Sequence, residues 1–216
     1  GIRTVVRKMS VALNQPYQIG GVLHNSTASM GVTLFKGDLI NTDDLMKQAD
    51  LAMYKSKEAG RNTLRFFDPD MELAVMKRAG MENDLRRAID EKQFVLHYQA
   101  QIAGDNRITG AEVLLRWQHP QRGKISPAEF IPLAEEAGLI LLLGEWVLET
   151  ACTRLVVWAD QLEMADLTIA VNVSANQFRQ PDFVDQVLNI LKKTGANPRR
   201  LKLELTESLL IADVED

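Results

Sequence analysis

A short connection between two strand-like segments sets the strongest limit on the fold. Residues 94–102 and 108–117 read as strands, and only Ala103 to Arg107 separates them. A parallel crossover needs about a dozen residues or more, so the two strands are predicted to be antiparallel neighbours. From this pair onward the pattern reads β-β-α-α-β-α-β. Helices that alternate with strands predict a parallel sheet with the helices outside.

The later elements fit the same α/β class. Ser126 is a predicted helix cap, Pro127 suits the first helical position, and Glu129 is placed to complete a capping box in a helix that ends near Gly138. Further helices are predicted at residues 140–159 and 181–194, and strands at 167–173 and 201–206. If this sheet closes as a (β/α)8 TIM-type barrel, its first strand is antiparallel. Only four of its strands are then present, so the barrel is incomplete.

The first part of the chain has a different, α+β order. A helix at residues 2–13, strands at 17–19 and 27–35, a helix that begins near Thr42 and stops at Gly60, and a strand at 64–67 give α-β-β-α-β. Gly31 is a weak point in the middle of the second strand.

A helical stretch at residues 71–91 joins the two parts. Its first half is interpreted as a linker helix and its second half as the opening of the next domain. The alternative is one long surface helix. The predicted domains are 1–68, a linker helix at 69–84, and 85–216.

Three of the later strand-like segments carry oxygen-bearing side chains in otherwise apolar sequence. These side chains are Glu112, Asn172 and Glu204. Carboxylate and amide oxygens suit a hard cation such as Mg²⁺ or Mn²⁺. If the three strands are neighbours, the three side chains can converge on one ion. The alternative for any one of them alone is a solvated strand end.

Other charged residues extend this hypothesis. Arg116 follows Glu112 by four residues on the same strand face and could clamp a phosphate, or it could form a surface ion pair. Glu207 follows Glu204 by three and could brace a loop at the strand end, or it could be the start of an exposed turn. Lys57 and Arg61, near a helix end, could hold phosphate or favour the helix dipole.

Charge and apolar patterning exclude several classes of function. The chain of 216 residues has a net charge of −4, and the acidity lies after residue 70, which argues against a general nucleic-acid surface. No apolar run approaches the length of a membrane helix, and no secretory leader opens the sequence. The single cysteine, Cys152, fits a reducing compartment and a packing role. The histidines, which are read as structural or surface residues, are His24, His97 and His119.

Several motifs together resemble the first half of the EAL phosphodiesterase domain. They are FVLHYQ at 94–99, AEVLLRW at 111–117, SPAEFIPLAE at 126–135, VNVS at 171–174 and ELTE at 204–207. Residues 1–67 resemble the C-terminal part of the GGDEF domain, most clearly in ADLAMYKSKEAGRN at 49–62. The whole chain is therefore similar to a tandem GGDEF–EAL protein of bacterial cyclic di-GMP signalling.

The resemblance implies a phosphodiesterase that hydrolyses cyclic di-GMP to linear pGpG with two Mg²⁺ or Mn²⁺ ions. The family's metal ligands fall on Glu112, Asn172 and Glu204, and Glu112 is its signature glutamate. Its loop-steadying catalytic glutamate falls on Glu207. The substrate contacts fall on Gln99 and Arg116, and the GGDEF contacts to nucleotide phosphates on Lys57 and Arg61. The expected setting is the cytoplasm, either as a separate protein or as the cytoplasmic part of a larger, membrane-attached sensor. A homodimer formed through the EAL part or the linker helix is expected, without membrane contact by this segment or a nucleic-acid partner.

Departures from the family pattern qualify this expectation. The signature reads Glu-Val-Leu from Glu112, and Ala100 stands where proline is usual. The family's paired aspartates, catalytic lysine and later glutamate would follow Asp216, so the chain as written is expected to be inactive. Two alternatives to the enzyme stay open. One is a non-catalytic cyclic di-GMP receptor, and the other is a diguanylate cyclase regulated by its EAL half. The intact ligand positions favour the enzyme.

Overall fold

The computed structural model describes residues 1–37 and 40–205. Two compact units divide the chain, Gly1–Ala79 and the residues from Gly80 onward. The first unit contains α1 (Ile2–Leu13), β1 (Tyr17–Ile19), β2 (Val22–His24), β3 (Met30–Val32), α2 (Thr42–Glu58) and β4 (Leu64–Phe66). The helix α3 (Pro69–Asp90) contains the boundary between the units.

The first unit is built from two small strand pairs and two helices. β1 and β2 form an antiparallel hairpin through Gly20 and Gly21, both with positive φ, and β3 pairs with β4 in parallel. The predicted strand at residues 27–35 is shorter in the structure because its partner β4 has only three residues. The hairpin strand β2 was not predicted as a separate element.

Gly31, in the middle of β3, is a point of close packing. A Cβ at this position would lie 1.9 Å from the backbone oxygen of Ala49 and 2.2 Å from the backbone nitrogen of Met53. Glycine therefore allows α2 to lie directly against β3, since any side chain would collide with the helix backbone.

The second unit contains a five-stranded sheet. Its elements are β5 (Phe94–Ile102), β6 (Ile108–His119), β7 (Gly123–Ile125), α4 (Pro127–Glu136), α5 (Ile140–Ala159), β8 (Thr168–Val173), α6 (Ala175–Phe178), α7 (Phe183–Thr194) and β9 (Leu201–Leu205), with a 3₁₀ turn at Pro198–Arg200. The strand order is β5-β6-β8-β9, and β7 pairs with β6.

The strand directions agree with the sequence. β5 and β6 are antiparallel, as the short connection predicts, while β6 with β8 and β8 with β9 are parallel. Across the described residues the sheet does not close on itself. The fold is thus an incomplete barrel of the TIM type with an antiparallel first strand, preceded by the α+β unit.

Helices cover one face of this sheet, which we call the covered face. Ile169, Val171 and Val173 of β8 are buried there in a cluster with side chains of α5 and α7. Trp117 of β6 is fully buried on the same face, in a second cluster with Leu85 of α3 and residues of α4. Alternation places the intervening residues on the opposite side, which we call the open face.

The start of α4 differs from its prediction. Ser126 precedes α4, but its side chain makes no capping hydrogen bond, so the predicted capping box with Glu129 was wrong. The amide of Glu129 instead donates to the backbone oxygen of Ser126 at 2.9 Å. A complete capping box forms at α6 between Ser174 and Gln177.

Candidate functional site

The open face carries the polar residues that the sequence singles out. Glu112 of β6 lies opposite Gln99 of β5, and Asn172 of β8 lies opposite Glu204 of β9. Glu112 is also in register with Ala170, two residues before Asn172 on the same strand. Because directly paired residues point to the same side of a sheet, all four polar side chains share the open face.

Each of the two carboxylates on this face accepts a hydrogen bond from a side-chain amide. Asn172 Nδ2 donates to Glu112 Oε1 at 2.7 Å. Gln101 Nε2 donates to Glu204 Oε1 at 3.4 Å. Glu112 and Glu204 are half-buried, whereas Asn172 is exposed. Each carboxylate is therefore held by one amide through Oε1, and within residues 1–37 and 40–205 its Oε2 atom makes no hydrogen bond.

This arrangement suits a hard divalent cation. When Asn172 donates through Nδ2, its Oδ1 atom stays available, as do the Oε2 atoms of the two glutamates. Three oxygen donors are fewer than the six that Mg²⁺ prefers, so water or phosphate would complete the shell. Among the described residues, no group of three or more His, Cys, Asp or Glu side chains is placed to hold a metal. The donor set consists of two carboxylates and an amide.

A cavity of 380 Å³ lies beside the carboxyl ends of β6 and β8. Arg116 and Asn172 line it, together with apolar side chains such as Ile131 and Leu143. The carboxyl ends of parallel strands are the usual place for ligands in α/β sheets. Arg116 Nη1 donates to the backbone oxygen of Leu115 at 2.9 Å, which directs the guanidinium back along its own strand.

The turn after β8 is held by close packing. Ser174 and Gln177 exchange hydrogen bonds in the capping box of α6, and both are buried. A Cβ on Gly144 would lie 1.6 Å from Gln177 Nε2, so glycine lets α5 approach this turn. These contacts fix the carboxyl end of β8, where Asn172 lies.

A polar cluster around the buried His119 holds the end of β6. His119 Nδ1 accepts hydrogen bonds from the backbone amides of Gln121 and Arg122, so its ring proton is assigned to Nε2, 3.3 Å from Asp84 Oδ2. Arg122 and Arg87 also contact Asp84, at 3.1 and 2.6 Å. Burial alone would raise the pKa of Asp84. The hydrogen bond from Arg87 and the charge of Arg122, together with a hydrogen bond from His119, outweigh that effect and hold the pKa of Asp84 below its ordinary value.

The remaining predicted residues lie elsewhere. Glu207 falls outside the described residues. Lys57 and Arg61 are both exposed at the end of α2 in the first unit, where the amide of Arg61 donates to the backbone oxygen of Lys57 at 3.3 Å. Arg61 has a φ of 57°. His24 and His97 are exposed, and His119 is structural.

Sequence reasoning overlooked Gln101 and the cluster around Asp84. Gln101 follows Gln99 by two residues on the same strand, so simple alternation could have placed both on the open face. Asp84 and His119 are far apart in sequence and carry no motif spacing. Only the packing of α3 on the sheet brings them together.

No helix within the described part of the chain is both long and apolar enough to pass through a bilayer.

Comparison with known families gives two matches along the chain. The model of the EAL domain matches residues 82–216. The model of the diguanylate cyclase GGDEF domain matches residues 2–63.

Individual proteins resemble the chain over most of its length. The bifunctional diguanylate cyclase/cyclic di-GMP phosphodiesterase MucR of Pseudomonas aeruginosa is 42% identical over 213 residues, which are 98% of this chain and 31% of MucR. The cyclic di-GMP phosphodiesterase PdeR of Escherichia coli is 32% identical over 214 residues, which are 99% of this chain and 32% of PdeR. The chain thus spans about a third of the length of these relatives.

A solved structure of the MucR phosphodiesterase in complex with c-di-GMP is 46% identical in sequence, with a TM-score of 0.58. The similarity covers 62% of this chain and 55% of that one.

Proposed function

The chain belongs to the EAL domain family, and on this premise we propose that the full-length protein is a phosphodiesterase that hydrolyses cyclic di-GMP to linear pGpG. The observation that carries the proposal is the contact between Asn172 and Glu112 at 2.7 Å, with Glu204 in register beside Asn172. The names of the relatives MucR and PdeR support the same activity and the same substrate.

Glu112, Asn172 and Glu204 hold a Mg²⁺ or Mn²⁺ ion in this proposal. A bound ion of this kind supplies Lewis acidity toward a phosphoryl oxygen and lowers the pKa of a water ligand. The chain's own contribution is to fix the oxygen donors. The hydrogen bond from Asn172 Nδ2 holds one oxygen of Glu112 and leaves Oδ1 of Asn172 available to the ion.

Arg116 and Gln99 contact the substrate in this proposal. Arg116 lines the cavity at the carboxyl ends of β6 and β8, where its positive charge and its planar donors match a phosphate. Gln99 is exposed directly opposite Glu112. Glu207, three residues after Glu204, is assigned the role of the catalytic glutamate that steadies the site.

The GGDEF part binds nucleotide phosphates in this proposal. Its match to the GGDEF family supports contacts of Lys57 and Arg61 with nucleotide phosphates. We place the protein in the cytoplasm as a homodimer, formed through the EAL part or through α3. On α3, Leu73 and Met76 are exposed at a spacing of three residues and lie on one side of the helix.

The test is release of pGpG from cyclic di-GMP by the full-length protein in Mn²⁺. Glu112→Gln keeps the side-chain shape but removes a charged ligand. We expect turnover to fall by more than about a hundredfold. A loss of that size exceeds the roughly 10–100-fold effect of residues that only form hydrogen bonds to a metal ligand. Glu163→Gln is the matched control, because Glu163 is exposed in the turn between α5 and β8. Its turnover should equal that of the unmodified protein.

Three results would contradict the proposal. Equal turnover in Glu112→Gln and Glu163→Gln would remove the assigned role of Glu112. Tight binding of cyclic di-GMP without hydrolysis in any divalent ion would favour a receptor. Synthesis of cyclic di-GMP from GTP, with no pGpG released, would favour a cyclase regulated by its EAL part.

A further inference from the structure

Gln101 occupies an unusual place on the open face. It lies on β5 and pairs with Gly110 of β6, which in turn pairs with Thr168 of β8. A Cβ on Gly110 would lie 2.4 Å from both the backbone oxygen and the Oγ1 atom of Thr168. No side chain therefore stands on β6 beside Gln101, and its amide is free to extend across the face.

The amide of Gln101 reaches the far end of the sheet. Gln101 Nε2 lies 3.4 Å from Glu204 Oε1 on β9. β5 and β9 are the two ends of the strand order, with β6 and β8 between them. Three strand spacings in a flat sheet separate two strands by about 14 Å. The contact therefore depends on the curvature of the sheet, which brings its two ends toward each other.

The contact repeats the chemistry found at the other carboxylate. Asn172 Nδ2 donates to Oε1 of Glu112, and Gln101 Nε2 donates to Oε1 of Glu204. An amide N–H can only donate, so its natural partner is a carboxylate oxygen. In each pair the donor selects one carboxylate rotamer and leaves Oε2 for a ligand.

We propose that Gln101 is a positioning residue that orients the Glu204 carboxylate for the divalent ion. This inference rests on the proposed function, because it takes Glu204 as an ion ligand. Gln101 does not itself bind the ion. It acts through Glu204, as outer-shell hydrogen bonds generally orient the ligands of metal sites.

The expected consequence is a change in ion affinity rather than in the chemical step. Without its donor, Glu204 samples other rotamers, and ordering it again weakens ion binding. Outer-shell partners typically contribute about 10–100-fold to metal affinity. A single hydrogen bond of 3.4 Å belongs at the lower end of that range, so we expect about a tenfold loss.

The experiment uses Gln101→Met in the full-length protein, since methionine keeps the length of the side chain and removes the donor. Mn²⁺ binding is titrated by electron paramagnetic resonance without substrate, and turnover is measured against Mn²⁺ concentration. We expect Mn²⁺ to bind about tenfold more weakly, with kcat restored at saturating Mn²⁺. Gln161→Met, in the exposed turn after α5, is the matched control and should change neither quantity.

A double-mutant cycle that combines Gln101→Met with Glu204→Gln measures the interaction between these two side chains. If Gln101 acts through Glu204, Gln101→Met should have little further effect on Mn²⁺ affinity once Glu204 is changed. An equal effect in both backgrounds would overturn the proposal. So would a kcat that stays low at saturating Mn²⁺, because that result would indicate direct contact with the substrate.

The same measurements separate this inference from the proposed function. If Glu204→Gln weakens Mn²⁺ binding and Gln101→Met does not, Glu204 remains a ligand and only the role of Gln101 is overturned. If neither variant changes Mn²⁺ binding, the ion site is wrong and the inference falls with it.

Discussion

The two faces of the β5–β9 sheet use the same strands for opposite purposes. On the covered face, Ile169, Val171 and Val173 are all at most 1% exposed under α5 and α7. On the open face, Asn172 lies between two of these residues in sequence and is exposed. A single residue step along β8 therefore changes the environment from close-packed core to a polar surface.

This contrast separates stability from chemistry within each strand. The covered face supplies buried apolar area, at roughly 25 cal/mol per Å², and thereby fixes the backbone. The open face can then carry Glu112, Asn172 and Glu204 on three neighbouring strands without burying much apolar area of its own. Substitutions on the covered face should change stability, and those on the open face should change ion binding and turnover.

The largest effect is expected for Trp117→Ala on the covered face. Trp117 is fully buried against Phe94 and Phe130, with ring centroids 5.7 and 5.6 Å away. Removing the indole leaves a cavity, so the free energy of unfolding should fall by about 3–5 kcal/mol in urea denaturation followed by circular dichroism. Leu162→Ala, at a side chain that is 99% exposed, is the control. Similar urea midpoints for Trp117→Ala and Leu162→Ala would show that burial on the covered face does not stabilise the fold.

Asn172→Leu on the open face is expected to lower turnover and to leave stability almost unchanged. Leucine preserves the size of the side chain but removes both the donor to Glu112 and the amide oxygen offered to the ion. Turnover of cyclic di-GMP should fall by about a hundredfold, while the free energy of unfolding changes by no more than about 0.5 kcal/mol. A large loss of stability in Asn172→Leu would show that the open face also contributes to stability and does not serve ion binding and turnover alone.

Asp84→Asn tests the polar cluster that lies among the apolar contacts of α3 and β6. Because the folded-state pKa of Asp84 is lowered, its contribution to stability is present above its unfolded-state pKa of about 3.9. That contribution is lost as the pH falls through the folded-state pKa. The variant should be less stable by about 1–3 kcal/mol at pH 7, and the difference should narrow below pH 4, approximately the unfolded-state value.

Urea denaturation at pH 7, 4 and 3 measures this difference. Asp105→Asn, in the exposed turn between β5 and β6 where Asp105 pairs with Arg107, should show no such dependence. The free energies of unfolding of Asp84→Asn and of the unmodified protein could instead differ by the same amount at all three pH values. That result would show that the charge of Asp84 does not stabilise the fold.

The smallest effect is expected for Ile169→Val. Ile169 is fully buried on β8, and the loss of one methylene should lower the free energy of unfolding by about 0.5–1.5 kcal/mol. Ile102→Val on β5, where the side chain is 62% exposed, should be close to neutral. Equal effects at the two positions in matched urea titrations would show that burial on the covered face is not what stabilises β8.

Much of the fold could be predicted because long elements carry periodic signals. The antiparallel direction of β5 and β6 follows from their short connection, and α5 has the predicted bounds of residues 140–159. Short elements were missed, since the three residues of β7 and the four of α6 are too few to show a period. The role of Gly31 depends on the backbone of α2, which no local pattern in β3 reveals.

The site was predictable only in part. Alternation places Glu112, Asn172 and Glu204 on one face once the strands are known to be neighbours. The role of these residues as ion ligands stays a prediction. Gln101 could not be connected with Glu204 from sequence, because the contact depends on how strongly the sheet curves between its two ends.

Cys152 makes the chain suitable for site-directed labelling. It is the only cysteine among the 216 residues, and it is fully buried in α5. Burial, together with the nearby Glu149 carboxylate, raises the pKa of its thiol to about 11. Little reactive thiolate therefore exists at neutral pH. A cysteine introduced at an exposed position would take up a fluorophore selectively, and slow alkylation of Cys152 itself would report how often α5 opens.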